Sequence, residues 1–177
     1  MSGYRIATVS RLAVFSLLAH AAGVQDVLAG PLDFNDNDTV TVTAERAWEA
    51  DEVDVIHFSG QFELRAPDWS LFGDNAVVYG KLDNPDRVVV EGAPARIAFL
   101  RDTQDSDGTE SVERIDGSAL FVEYFRATDK LVMRGSAELI REDSTLVSDV
   151  IEYDVEADRY SASGEGGINI QFNPDDD

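Results

Sequence analysis

The chain reads as an all-β protein assembled from repeated antiparallel hairpins, and three observations predict this. Six times an Asp is followed six residues later by a Gly, and four of these, Asp54/Gly60, Asp86/Gly92, Asp129/Gly135 and Asp158/Gly164, form a series; Asp74/Gly80 falls out of its period and Asp102/Gly108 lacks the apolar row. The apolar pairs enclosed, Ile56 and Phe58, Val88 and Val90, Leu131 and Met133, Tyr160 and Ala162, alternate with period two. Each copy therefore turns one apolar row to one face of a strand. Finally an aromatic residue, Trp48, Tyr79, Tyr124 or Tyr153, precedes each Asp by five to seven positions, which sets the Asp in a turn between two strands. Successive glycines lie 32, 43 and 29 residues apart, the kind of period that stacked units show, with one unit lengthened.

In chain order, residues 1–29 read as a secretory signal. Arg5 and Arg11 precede an apolar run from Leu12 to Val24, and Val27-Leu28-Ala29 offers a small-residue cleavage site before Gly30. That run falls short of the ~20 residues that span a bilayer, so cleavage after Ala29 is expected, with a retained anchor as the alternative. From Thr39 onward nearly every segment is a short strand rich in β-branched and aromatic residues. Up-strands are expected near 44–50, 75–80, 119–125 and 149–155, and return strands at 55–65, 87–100, 130–141 and 159–172. Turns such as Asp83-Asn84-Pro85-Asp86 join them.

Beyond each Gly the apolar row continues: Phe62 and Leu64, then Ala137 and Leu139, then Ile168, Ile170 and Phe172. In the second copy it changes parity to Ala95, Ile97 and Phe99, which predicts a bulge or bend at Gly92 to Pro94. The recurring Gly is expected to mark the bend where a strand passes from one wall to another. Residues 101–114 read as an acidic lengthened loop, and the tail 173–177 as disordered. Hairpins that bury one face only on their neighbours must close or stack, giving a sandwich or an open roll. In an open roll the terminal strands, near Thr41 and Thr43 and near Ile170 and Phe172, keep unpaired edges that can pair with other chains.

With 177 residues and 44% hydrophobic content the chain makes one domain with a continuous core. It has no cysteine, so an exported protein of this sequence relies on sheet and core rather than disulfides. A formal charge of −21 repels phosphate backbones and anionic leaflets alike, which argues against nucleic acid as a partner. Simple solubility also accounts for the acidity.

Chemistry of the usual catalytic kinds finds no foothold. Of two histidines, His20 falls in the signal and His57 on the outward parity of a strand, a surface position. No Cys/His metal spacing, nucleophile elbow or phosphate-cradling glycine loop occurs. Asp105-Ser106-Asp107-Gly108 has calcium-loop character, but counting from Thr103 puts Arg114 where the bidentate Glu belongs. No catalytic role, metal or cofactor is expected.

The phrase Thr41-Val42-Thr43-Ala44-Glu45-Arg46 leading to Phe58-Ser59-Gly60-Gln61-Phe62 resembles the OstA-like family, which includes LptA-type periplasmic bridges of lipopolysaccharide transport. Later phrases fit as well: Asp74-Asn75-Ala76-Val77-Val78-Tyr79, the stretch from Asp129 to Gly135, and Ser148-Asp149-Val150-Ile151-Glu152-Tyr153. The resemblance covers about residues 39–172. The acidic loop 101–114 and the strong negative charge depart from the family pattern.

The resemblance implies a twisted, V-shaped open β-jelly roll with an apolar interior. It also implies lipopolysaccharide as ligand, an LptC-like inner-membrane anchor at the N-terminal edge, an LptD-like outer-membrane translocon at the C-terminal edge, and head-to-tail self-association. On that reading Ile56, Phe58, Phe62, Leu64, Val88, Val90, Leu131, Met133, Leu139 and Ile168 line a lipid path, or else simply pack a dry core. Thr41, Thr43, Ile170 and Phe172 would meet partners at the edges. Each buried CH₂ of an acyl chain is worth roughly 0.8 kcal/mol, so a chain of about a dozen carbons needs on the order of 10 kcal/mol of shelter. An acidic surface does not supply that by charge, whereas an apolar lumen does. The alternatives are an LptC-like membrane-anchored member of the same pathway and a structural β-solenoid that binds no lipid.

Overall fold

The computed structural model describes residues 39–104 and 108–172, so the leader 1–29, the centre of the 101–114 segment and the tail 173–177 lie outside it. Among the described residues ten antiparallel strands form one open sheet: β1 (Thr41–Thr43), β2 (Arg46–Glu49), β3 (Val55–Arg65), β4 (Trp69–Lys81), β5 (Asn84–Gln104), β6 (Glu110–Phe125), β7 (Lys130–Ile140), β8 (Ser144–Asp154), β9 (Arg159–Ser163) and β10 (Asn169–Phe172). One short 3-10 turn, Arg126–Thr128, joins β6 to β7. The path through the sheet is β1-β3-β4-β5-β6-β7-β8-β10, with β2 beside β1 on β3 and β9 beside β10 on β8. Each terminal edge is thus made of two short pieces rather than one long strand, which limits the unpaired backbone either edge presents.

Tight turns with Asp in the left-handed region close three of the four repeated hairpins, with φ of 57° at Asp54, 44° at Asp129 and 50° at Asp158. Asp tolerates that region better than most side chains. The second copy differs. Its turn is Leu82-Asp83, between the paired Lys81 and Asn84, and Asp86 lies inside β5. The hairpin predicted at Asp83 to Asp86 is therefore tighter and earlier than expected, because Gly80, at φ 89°, takes up the bend next to a register shift.

A seam of bulges runs across the sheet. Register shifts fall between Ser59 and Phe62, Phe72 and Asn75, Glu91 and Ala95, Ser118 and Phe121, and Arg134 and Ala137. Gly60, Gly92 and Gly135 of the recurring series stand in it, joined by Gly73, while Gly164 falls in the break after β9; at Gly135 a φ of 83° explains the choice of residue. The predicted change of parity on β5 occurs: Val88 and Val90 are buried before the seam, and Ala95, Ile97 and Phe99 after it. The Ala93–Pro94 bond in this bulge is cis.

Bulges bend strands, and here they fold the sheet into two facing walls. The register places Arg87 in line with Phe125, Lys130 and Asp154 on one wall. Arg101 lies fourteen positions along β5, roughly 45 Å away on a flat sheet at about 3.3 Å per residue. Yet Arg101 meets Asp158 at 2.6 Å, and the Phe99 ring packs tilted against Tyr153 at 6.0 Å between ring centroids. The half of the sheet beyond the seam has turned back over the half before it.

Two further expectations need correction. Residues 101–114 are not mainly a loop: β5 and β6 stay paired from Arg101↔Glu113 to Gln104↔Glu110, so the lengthened unit is an extended hairpin arm. The last return strand, expected continuous over 159–172, breaks into β9 and β10 around Gly164 to Ile168. The break faces the seam on β8, where β9 ends opposite Val150 and β10 begins opposite Val147.

Candidate functional site

The space between the walls is apolar from one side of the sheet to the other. β3 contributes Phe58, Phe62 and Leu64; β4 Leu71, Ala76 and Val78; β5 Val88, Val90, Ile97 and Phe99. Ile115, Val122 and Tyr124 follow on β6, Leu131, Met133 and Leu139 on β7, and Leu146, Ile151 and Tyr153 on β8, in a single contiguous cluster. Period-two alternation on each side of the seam aims all of these side chains to the same face.

Of the residues expected to line the path, Phe58, Phe62, Leu64, Val88, Val90, Leu131, Met133 and Leu139 are buried in this cluster, and Ile56 packs against it partly buried. Ile168 does not join them: it precedes β10 and is 53% exposed. The break after β9 carries it out of register with the row it was read to continue. The interior is closed by its own side chains, with Phe58 and Phe62 5.3 Å apart and Leu131 and Met133 at 0% exposure. Entry of a guest requires the walls to separate.

The edges carry the other predicted residues. Thr41 and Thr43 pair with Arg65 and Glu63 in β3 and are exposed. Ile170 and Phe172 pair with Leu146 and Ser144 in β8, with exposures of 49% and 69%. A cleft of about 540 Å³ lies at the seam beside the N-terminal edge, lined in part by Thr43, Glu45, Gly60 and Pro94 and reaching Phe62. His57, read as a surface residue, is half-buried under Trp48, the two rings stacked at 5.3 Å and 7°.

At the ends of β5 and β7 beyond the seam sits a polar cluster that alternation gives no sign of. Arg141 donates to both oxygens of Glu113 at 2.8 and 2.7 Å and to Asp158 Oδ1 at 3.0 Å. Arg101 completes it at 2.6 Å from Asp158 Oδ2, and the Tyr153 hydroxyl donates to Asp158 Oδ1 at 2.6 Å. Burial alone would raise the Asp158 pKa, but the hydrogen bonds of Tyr153 and Arg101 and the charges of both arginines hold it below the usual carboxylate value. The Tyr153 phenol is pushed well above its ordinary range, first by burial and then by Asp158. The hydrogen bond to Glu113 raises Arg141.

No group of three or more His, Cys, Asp or Glu among the described residues is arranged to hold a metal ion, and no described helix is long and apolar enough to cross a membrane.

Comparison with known proteins agrees with this architecture. Residues 41–159 match the family model described as LptA/(LptD N-terminal domain) LPS transport protein. No curated protein sequence matches the chain. Among solved structures, the chain is similar in fold to LptH of Pseudomonas aeruginosa, the LptA-homologous periplasmic component of the conserved lipopolysaccharide transport device. The TM-score is 0.65 at 19% identity, over 77% of this chain and 96% of that one.

Proposed function

This chain belongs to the LptA/LptD N-terminal domain family of lipopolysaccharide transport proteins, and from that membership we propose that it is a periplasmic bridge component that shelters acyl chains of lipopolysaccharide between its two walls and passes the lipid from the inner toward the outer membrane. The observation that carries the reading is the contiguous apolar interior, running from β3 to β8 within a sheet whose two ends stay open. Hydrophobic contact is non-directional, so a chain held this way can slide without losing a fixed set of bonds. Ile56, Phe58, Phe62, Leu64, Val88, Val90, Leu131, Met133 and Leu139 are the proposed contacts.

On this reading β1 and β2 receive an LptC-like anchor, and β9 and β10 offer their edge to an LptD-like translocon or to a second copy of the chain. Backbone pairing at such edges is sequence-tolerant, which suits a bridge made of different proteins of one fold. The exported, signal-cleaved form is the expected one.

Photo-crosslinking tests the interior directly. A photoreactive residue at Phe62 or Leu139 should give a lipopolysaccharide adduct when partner proteins are present, and one at the exposed Val112 of the hairpin arm should not. Absence of adducts from several interior sites in folded protein would leave a dry core and sink the transport reading.

A further inference from the structure

The polar cluster at Asp158 joins the two walls. Asp158 follows β8 in the turn to β9, on the wall that carries Val88, Leu131 and Tyr153. Arg101, Glu113 and Arg141 come from β5, β6 and the end of β7 on the opposite wall. Arg101 and Arg141 both reach across to the one carboxylate, and Glu113 holds Arg141 from behind through two hydrogen bonds. Just inside this cluster, Phe99 of one wall rests on Tyr153 of the other, and the Tyr153 hydroxyl extends from that apolar contact to Asp158.

We propose that this cluster is a latch, and that the separation of the walls at the C-terminal mouth of the interior, and with it the passage of an acyl chain there, is set by whether Asp158 is engaged by Arg101 and Arg141. The inference rests on the reading of the interior as a lipid path. Three features support it. The interior behind the latch is filled, so a guest must part the walls. The walls are continuous with each other only at the seam, so the mouth far from it is the natural place for them to part. And the contact at that mouth is made of charged groups that keep some access to water, 21% at Arg101 and Arg141 and 27% at Asp158, so water can take over their hydrogen bonds as the walls separate, whereas a dry apolar contact has no such substitute. In a chain with 14 basic residues against 35 acidic ones, two arginines are committed to one wall-to-wall contact. The latch also gives the lengthened hairpin a role. Arg101 and Glu113 form the base of that arm, so the arm is rooted in the mouth it helps to close.

The test uses one variant that releases the latch and one that locks it. Asp158→Asn keeps the shape and removes the charge that two arginines require. Its amide hydrogen exchange at the β5, β7 and β8 segments flanking the latch should rise about tenfold, given the usual worth of a charge-assisted hydrogen bond. Uptake of purified lipopolysaccharide from micelles should quicken with it. The control Arg114→Gln, which breaks an exposed pair with Asp116 on β6, on the opposite face of the strand from its neighbour Glu113, should change neither. Because the chain has no cysteine, Arg101→Cys with Asp158→Cys provides a unique pair for a reducible crosslinker. The crosslinked protein should take up little lipid and recover on reduction.

Unchanged exchange in Asp158→Asn, or undiminished uptake in the crosslinked protein, would overturn the latch. Faster exchange with no lipid taken up by any form, the unaltered protein included, would leave a wall clasp standing and remove the lipid path instead. If Asp158→Asn fails to fold, the crosslinked pair and its recovery on reduction still decide the question.

Discussion

Tyr153 donates its phenolic hydrogen to Asp158 Oδ1 across 2.6 Å, and the same relationship recurs one hairpin earlier, where Tyr124 donates to Asp129 Oδ1 at 2.8 Å. In both, the aromatic ring is buried in the interior and the Asp closes the following turn with a positive φ. This is the physical content of an aromatic residue five places before a turn Asp: the phenol carries a hydrogen bond out of an apolar core to a carboxylate at its rim. The backbone interlocks similarly, the carbonyls of Asp54 and Asp129 accepting from Gly80 and Val155 at 2.8 and 3.0 Å.

Tyr153→Phe should therefore destabilise the protein by about 1–3 kcal/mol, the range for a lost hydrogen bond to a charged group. Urea unfolding followed by circular dichroism measures it. Tyr124→Phe should cost a comparable amount, and a neutral outcome at both would remove the phenol–carboxylate pair as a stabilising unit.

The pH dependence follows from the same pair. Asp158 is held below its ordinary value of 3.8, so its contribution is present above about pH 4 and is lost as pH falls through the depressed folded value. The Tyr153 phenol is raised above its ordinary 10, so its contribution is present below pH 10 and is lost as pH rises beyond it. Unfolding free energy should thus drop at both extremes, and Tyr153→Phe should flatten the alkaline limb. Titration of stability from pH 3 to 11 in both proteins tests the two signs.

At the seam, a Cβ on Gly73 would stand 2.6 Å from the Glu91 carbonyl oxygen, closer than contact distance to backbone that has nowhere to go. A Cβ on Gly135 would meet Leu120 Cδ1 at 2.9 Å, at a φ of 83° that side chains resist. Gly73→Ala and Gly135→Ala should each cost about 1–3 kcal/mol, measured as a lower urea midpoint. A seam that tolerated both would not be the fixed bend described above.

The C-terminal edge makes its own prediction. Amides of adjacent residues in an antiparallel strand face opposite sides, so of Ile170 and Gln171 one faces β8 and the other the free edge. Proline at the outward-facing one should weaken self-association at least several-fold while leaving the monomer folded. Light scattering of both variants, alongside their thermal unfolding, separates edge from fold. Equal association by both proline variants and the parent would remove β10 as a docking edge.

How far the sequence carried can be followed strand by strand. On β3 and β7 the seam preserves parity, Phe58 to Phe62 and Met133 to Ala137, and both strands were legible over their whole length. On β5 parity flips between Val90 and Ala95, and Pro94 announced it. On β4, β6 and β8 it flips without such a signal, from Leu71 to Ala76, Ala119 to Val122 and Leu146 to Ile151. On those three strands alternation marks chiefly the part after the seam, so Trp69, Leu71, Ile115 and Leu146 on the far wall escape it. Of the interior residues proposed, Ile168 fell away because a backbone break, not its side chain, decides where it goes.

By itself the sequence determined what is local: alternation made strands, Asp and Gly made turns and bends, and the two together dictated an all-β chain with one apolar face and two open ends. The tertiary structure alone decided that the face is folded shut upon itself and that Arg101, Glu113, Arg141 and Asp158 meet. Those four come from four different elements, and no short-range spacing encodes a contact made only when a bent sheet brings its distant corners together.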